Sequence, residues 1–178
     1  MKTAKIIFWS LFVVTMGLYA TMVFWTLPSI QTEAGGLIPF DLRPMGYSYE
    51  DALVFLSQLS ESGRTLYLGP QHTLDLLYPL CLASCLALAI AMLVPNTKVW
   101  KFLISLVAWP GMLFDYLENG AVKKLLVTPV DEIGHGMVTA ASTFTLLKSV
   151  FDTIAFVTLL FLVLLWLFRL RAARRTAL

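Results

Sequence analysis

Apolar residues in this chain are gathered into four long blocks, over roughly 6–27, 73–94, 99–117 and 144–168. Each block is close to the ~20 residues that a helix needs to cross the hydrocarbon core of a bilayer. Within a block the residues are apolar on every side, as a lipid-embedded helix requires. The pattern predicts an all-α fold: a four-helix transmembrane bundle forming a single integral membrane domain over 1–178. The first block follows a basic start at Lys2 and Lys5. It is longer than the apolar region of a signal peptide, ~7–15 residues, and no A-x-A-like site follows it. It is therefore read as a retained span.

The outer loop, 28–72, is the one sizeable polar stretch. Gly35, Gly36, Pro39, Pro44 and Gly46 supply turns at its start. Ser48 and Asp51 then resemble a capping box, and Ala52, Phe55, Leu56 and Leu59 form an apolar stripe at helical spacing. A short amphipathic surface helix is expected there, stopping at Gly63, with Gly69-Pro70 breaking the chain before the second span. Pro79 lies inside that span and Pro110 inside the third, so a kink is expected at each. After the third span, Thr128, Pro129, Asp131 and Glu132 predict a short helix ending near Gly134 or Gly136. Trp25, Tyr47, Tyr49, Tyr67 and Tyr78 are placed at the outer interface, as aromatic belts are.

Composition strengthens the membrane reading. The chain is 58% hydrophobic and only 13% charged over 178 residues, and its mean hydropathy is +0.79. A net charge of +2 gives no footing for nucleic acid. Lys2, Lys5, Lys98, Lys101, Arg169, Arg171, Arg174 and Arg175 fall on one side of a four-span arrangement; Arg43, Arg64, Lys123 and Lys124 fall on the other. The positive-inside rule then places both termini in the cytoplasm, and in a bacterium the membrane would be the inner one.

The candidate chemistry is an acidic constellation in the outer half. Asp115, Glu118 and Asn119 stand at i, i+3 and i+4, on one face of a helix. A helical rise of ~1.5 Å per residue brings Asp75, Asp115, Glu118, Lys148 and Asp152 to similar depths, about 24–30 Å from the cytoplasmic ends of their spans. His72 and Tyr78 flank Asp75. Acids in a membrane are costly and mark a cavity, a pathway or a partner charge. Lys148 cannot balance four carboxyl groups, so Arg64 or Arg43 is expected to descend from the outer loop and clamp one of them. The alternatives are that His72 descends, that one carboxyl stays protonated, that a cation or cationic group binds, or that the set is ordinary helix-end polarity. Cys81 and Cys85 lack C-x-x-C spacing and read as packing residues. His72 and His135 have no metal-ligand spacing, so no metal site is assigned, and no cofactor motif is present.

Phe40 to Ser48, Gly63-Arg64 with Tyr67, Leu74-Asp75 with Tyr78-Pro79, Asp115 with Glu118-Asn119, and Phe144-Thr145 with Lys148 together resemble a family of bacterial four-span integral membrane proteins. The resemblance covers most of the chain. It implies that the first loop and the membrane acids belong to one site; it implies no activity or cofactor. The first expectation is a protein binding an amphipathic or lipid-like ligand, a membrane lipid included, at the carboxylate/Lys site. A small membrane enzyme acting on a lipid-like substrate is an alternative. So is a structural subunit with a protein partner in the membrane.

Overall fold

The structure is a computed structural model that describes residues 2–94 and 98–175. Helices α1 (Lys2–Glu33), α2 (Tyr49–Gln58), α3 (Glu61–Leu93), α4 (Lys98–Ser105), α5 (Trp109–Val127) and α6 (His135–Arg175) follow one another. No strand occurs among the described residues. By length and composition, α1, α3 and α6 can each cross a membrane.

The helices run well past the apolar blocks. The outer half of α6 carries Gly136, Thr139 and Ser142 and has no uniform apolar character. It is helical because Val138, Ala141 and Thr145 bury one stripe of it. The helix therefore starts at His135, and the expected stop at Gly136 does not occur. Of the short helix predicted before it, only one turn of 3₁₀ forms, Val130–Glu132. Gly69-Pro70 does not break the chain either. It sits in a π turn, Tyr67–Gln71, inside α3. A π turn shifts the hydrogen bonding to i→i+5 and so tolerates the donor that Pro70 lacks. A matching π turn occupies Met22–Thr26 of α1 and packs against the first.

The other prolines behave differently from one another. Pro110 stands in the first turn of α5, where a missing N–H costs nothing. The third segment is instead interrupted by a 3₁₀ turn, Leu106–Ala108, between α4 and α5. Pro79 is inside α3 and withholds the N–H that would have bonded the carbonyl of Asp75.

Two kinds of packing meet along the bundle. The outer part has a conventional core of Ile30, Phe40, Phe55, Leu56, Leu125 and Val138, all but completely buried. The predicted stripe of α2 is part of it. Ser48 caps α2: its Oγ accepts from the Asp51 N–H at 3.0 Å, and Asp51 Oδ2 accepts the Ser48 N–H at 3.2 Å. Helix α2 ends at Leu59, before Gly63, which lies inside α3. Tyr67 is buried in this core, Tyr47 packs on Phe40, and Tyr49 stacks on His135. These three tyrosines knit the outer part together and form no interfacial belt.

The inner part has a thinner core: among the described residues Leu86, Ala108 and Ala155 cluster together, with Ala83, Cys85 and Ile90 also buried along α3. Its large apolar side chains point outward, from Ile6 to Trp25 on α1, Leu76 to Met92 on α3, Val99 to Leu117 through α4 and α5, and Leu146 to Leu170 on α6. An exposed apolar surface of this breadth is what lipid covers.

Candidate functional site

The acids lie where these two regions join. Helices α5 and α6 form a tight antiparallel pair, closest where Gly111 faces Asp152. A methyl group at position 111 would sit 3.0 Å from Asp152 Cγ and nearer still to Oδ1. One turn outward, Lys148 Nζ lies 2.8 Å from Asp115 Oδ2 and 2.9 Å from Glu118 Oε2. The i, i+3 spacing of the two acids on α5 sets this fork, and both are almost fully buried. Glu118 Oε1 accepts a hydrogen bond from Thr145 Oγ1 at 2.6 Å. Both oxygens of Glu118 are thereby engaged.

Asn119 completes the face. Its Nδ2 donates to Asp115 Oδ1 and to the carbonyl oxygen of Asp75, each at 3.0 Å. That carbonyl is the one Pro79 leaves without its helical donor. Tyr116 adds a second tie one residue further on, donating to the Leu76 carbonyl at 2.9 Å. The donor missing at Pro79 is thus supplied by Asn119 of α5. Asp75 itself accepts from Gln71 Nε2 at 3.1 Å, and Gln71 Oε1 accepts from Thr26 Oγ1 at 2.5 Å. The paired π turns therefore feed a continuous polar chain, Thr26–Gln71–Asp75–Asn119–Asp115–Lys148–Glu118–Thr145.

The loop contributes differently from the charge-count expectation. Neither arginine reaches a carboxylate. Arg64 donates to the backbone carbonyls of Leu126 and Leu56. Arg43 donates to the Ile38 carbonyl at 2.9 Å, and its guanidinium lies 5.8–5.9 Å from the ring centres of Phe55, Phe40 and Tyr47. Arg64 thus bonds carbonyls near the C-terminal ends of α5 and α2, and Arg43 a carbonyl of its own loop beside three aromatic rings, so neither is left to pair with an acid. What descends instead is a fifth acid: Asp41 accepts from Tyr67 Oη at 2.5 Å and lies against Asp75. Tyr47 also faces the site, near Glu118 and Thr145, and its buried hydroxyl has no hydrogen-bond partner among the described residues. Burial, and then the charge of Glu118, push that phenol above its ordinary range, so it stays protonated. Asp41 and Tyr47 carried no spacing pattern of their own; their signal was the Phe40–Ser48 segment, whose resemblance joined the first loop to the membrane acids.

Asp152 stands apart. It forms no ion pair among the described residues, because Lys148, four residues before it, is held by Asp115 and Glu118. The Tyr78 phenol on α3 is within electrostatic reach of it. His72 is outside the chain of hydrogen bonds. It borders a pocket of about 10 Å³ with Asp75, Asn119 and Lys123, room for one water at most. No group of His, Cys, Asp or Glu among the described residues is arranged to hold a metal ion.

The space for a ligand lies below the cluster. A groove of about 430 Å³ runs between α1, α3 and α6, walled by Phe12, Met16, Leu82, Cys85, Leu86 and Phe156. Tyr19 and Tyr78, stacked with ring centres 5.9 Å apart, close its outer end. Leu82 and Leu86 also line the crevice that holds Asp115 and Asp152, so the groove and the acids adjoin along these two residues. Helix α1 packs principally on α3, which leaves the groove open sideways toward α6. No family model, no curated protein and no solved structure matches the chain.

Proposed function

We propose that this is a four-helix membrane protein that holds an amphiphile with a cationic head. Helices α1, α3, α4–α5 and α6 form the bundle, and α2 with its loop is the surface element over the outer mouth. Both termini are cytoplasmic, and in a bacterium the membrane is the inner one. The fourth crossing is α4–α5, supported by its exposed apolar side chains from Val99 to Leu117.

The observation that carries the ligand reading is the adjacency of the apolar groove to an unbalanced acidic site. Asp41, Asp75, Asp115, Glu118 and Asp152 surround one lysine, and Asp152 has no cation of its own. A hydrocarbon chain in the groove would place its head beside Tyr78 and Asp152. There an ammonium group can meet the carboxylate and the faces of Tyr19 and Tyr78. A groove of this size, apolar with a few convergent polar groups, is the usual form of a small-molecule site. No nucleophile stands against a general base in it, so binding is favoured over the enzyme reading.

The test compares dodecylamine with dodecanoic acid added to the protein in a neutral maltoside detergent. Dodecylamine should raise the unfolding temperature, and Asp152→Asn should remove that response while leaving the response to the acid unchanged. Equal stabilisation by both amphiphiles, or an undiminished amine response in Asp152→Asn, would refute the proposal.

A further inference from the structure

The opposite end of the bundle has a second recess of different chemistry. It measures about 750 Å³ and lies between α1, α3, α4 and α6. Lys5, Lys101 and Arg169, from three different helices, stand on its rim. Its walls are apolar, including Leu88, Met92 and Trp166. Among the described residues none of the three cations forms an ion pair.

The sequence sharpens this. All 11 acidic residues lie within 33–75, 115–132 or at 152, so no Asp or Glu belongs to the segments that build this end. Three cations on separate helices repel one another unless an anion sits among them. A free inorganic anion would use the cations and leave the apolar walls wet. A glycerophospholipid uses both, since its phosphate meets the rim and its acyl chains lie along Leu88 and Met92. Arg169 can take two phosphate oxygens at once, Lys5 and Lys101 act as point charges, and an indole at headgroup level is typical of an interface.

We infer that Lys5, Lys101 and Arg169 form a binding site for an anionic phospholipid of the leaflet at the basic end of the bundle. The inference depends on the helices crossing a membrane and is independent of the ligand reading for the outer site.

Native mass spectrometry of the full chain, titrated with phosphatidylglycerol or phosphatidylcholine, tests it. One phosphatidylglycerol should be retained in preference to phosphatidylcholine. A direct charge-assisted hydrogen bond to the phosphate contributes roughly tenfold or more, against roughly fivefold at most for a cation that is merely nearby. The triple variant Lys5→Gln/Lys101→Gln/Arg169→Gln should therefore lose on the order of 1000-fold in affinity. The control triple Lys2→Gln/Lys98→Gln/Arg171→Gln removes the same charge from the same end and should lose less than a tenth of that. Equal losses in the two triples would reduce the site to diffuse surface charge and overturn the inference, as would no preference between the lipids. Quenching by brominated phosphatidylglycerol, read as the difference between the unaltered chain and Trp166→Phe, needs no charge variant to fold. Quenching of Trp166 no stronger than by brominated phosphatidylcholine would also overturn it.

Discussion

Asn119 is the residue whose replacement most directly tests how α3 and α5 are joined. Asn119→Leu removes two hydrogen bonds of 3.0 Å, one to the Asp115 carboxylate and one to the Asp75 carbonyl. A bond to a charged group contributes about 1.5–3 kcal/mol, and a buried carbonyl left without a donor costs about 1–3 kcal/mol. The variant should lose about 2.5–6 kcal/mol. Pro79→Ala separates the two parts, because residue 79 then has an N–H that can bond the Asp75 carbonyl along the helix. In that background Asn119→Leu should cost only the carboxylate share, about 1.5–3 kcal/mol. The double-mutant cycle should therefore give a coupling of about 1–3 kcal/mol between residues 79 and 119. Unfolding in mixed dodecyl maltoside and dodecyl sulfate micelles, followed by circular dichroism, supplies the four free energies. Additivity to within about 0.5 kcal/mol would refute the reasoning, since it would mean that Asn119 does not replace the donor Pro79 lacks.

Lys148→Met strands two buried carboxylates and should cost about 3–5 kcal/mol, and Lys148→Met/Glu118→Gln should recover part of it; a double variant no more stable than the single one would contradict the fork geometry. Gly111→Ala pushes a methyl group into Asp152 and should destabilise by about 1–3 kcal/mol, measured in the same micelles, while weakening the dodecylamine response. Hydrogen bonds from Ser48 hold the Asp51 carboxyl below its ordinary range. Because that pKa is lowered on folding, its contribution to the start of α2 is present above the ordinary carboxyl range and is lost as pH falls through the folded value. Amide exchange at Asp51 and Ala52, corrected for intrinsic rates, should accelerate selectively under acid, and Ser48→Ala, which keeps only the backbone donor, should weaken the selectivity.

The apolar blocks and the i, i+3, i+4 acids of α5 were legible because both are short-range patterns. The α2 stripe and its capping box were legible for the same reason. The descent of Asp41 was not, since it depends on how Phe40 and Tyr67 pack and no spacing pattern near residue 41 announces it. Arg43 and Arg64 misled because counting charges ignores backbone carbonyls, which loops and the last turns of helices both leave available. The early start of α6 was hidden by polar residues that a hydropathy window averages with the buried ones, Val138 and Ala141. The π turns have no composition of their own, and Gly69-Pro70 looked like punctuation because it is punctuation in most other settings.

The paired π turns set the angular phase of the molecule. Each holds one residue more than a regular α-helical turn, and one residue corresponds to roughly 100° of helical rotation. On α1, the face of Phe12, Met16 and Tyr19 serves the groove, and the face of Ile30 and Ala34 serves the outer core. The turn at Met22–Thr26 fixes the angle between those faces, and the turn at Tyr67–Gln71 does so on α3. A single-residue deletion is harmless in most loops. Within either π turn it would rotate the outer core out of register with the membrane part, carrying Thr26 or Gln71 away from its partner. Length is therefore constrained in the middle of these two helices more tightly than residue identity is.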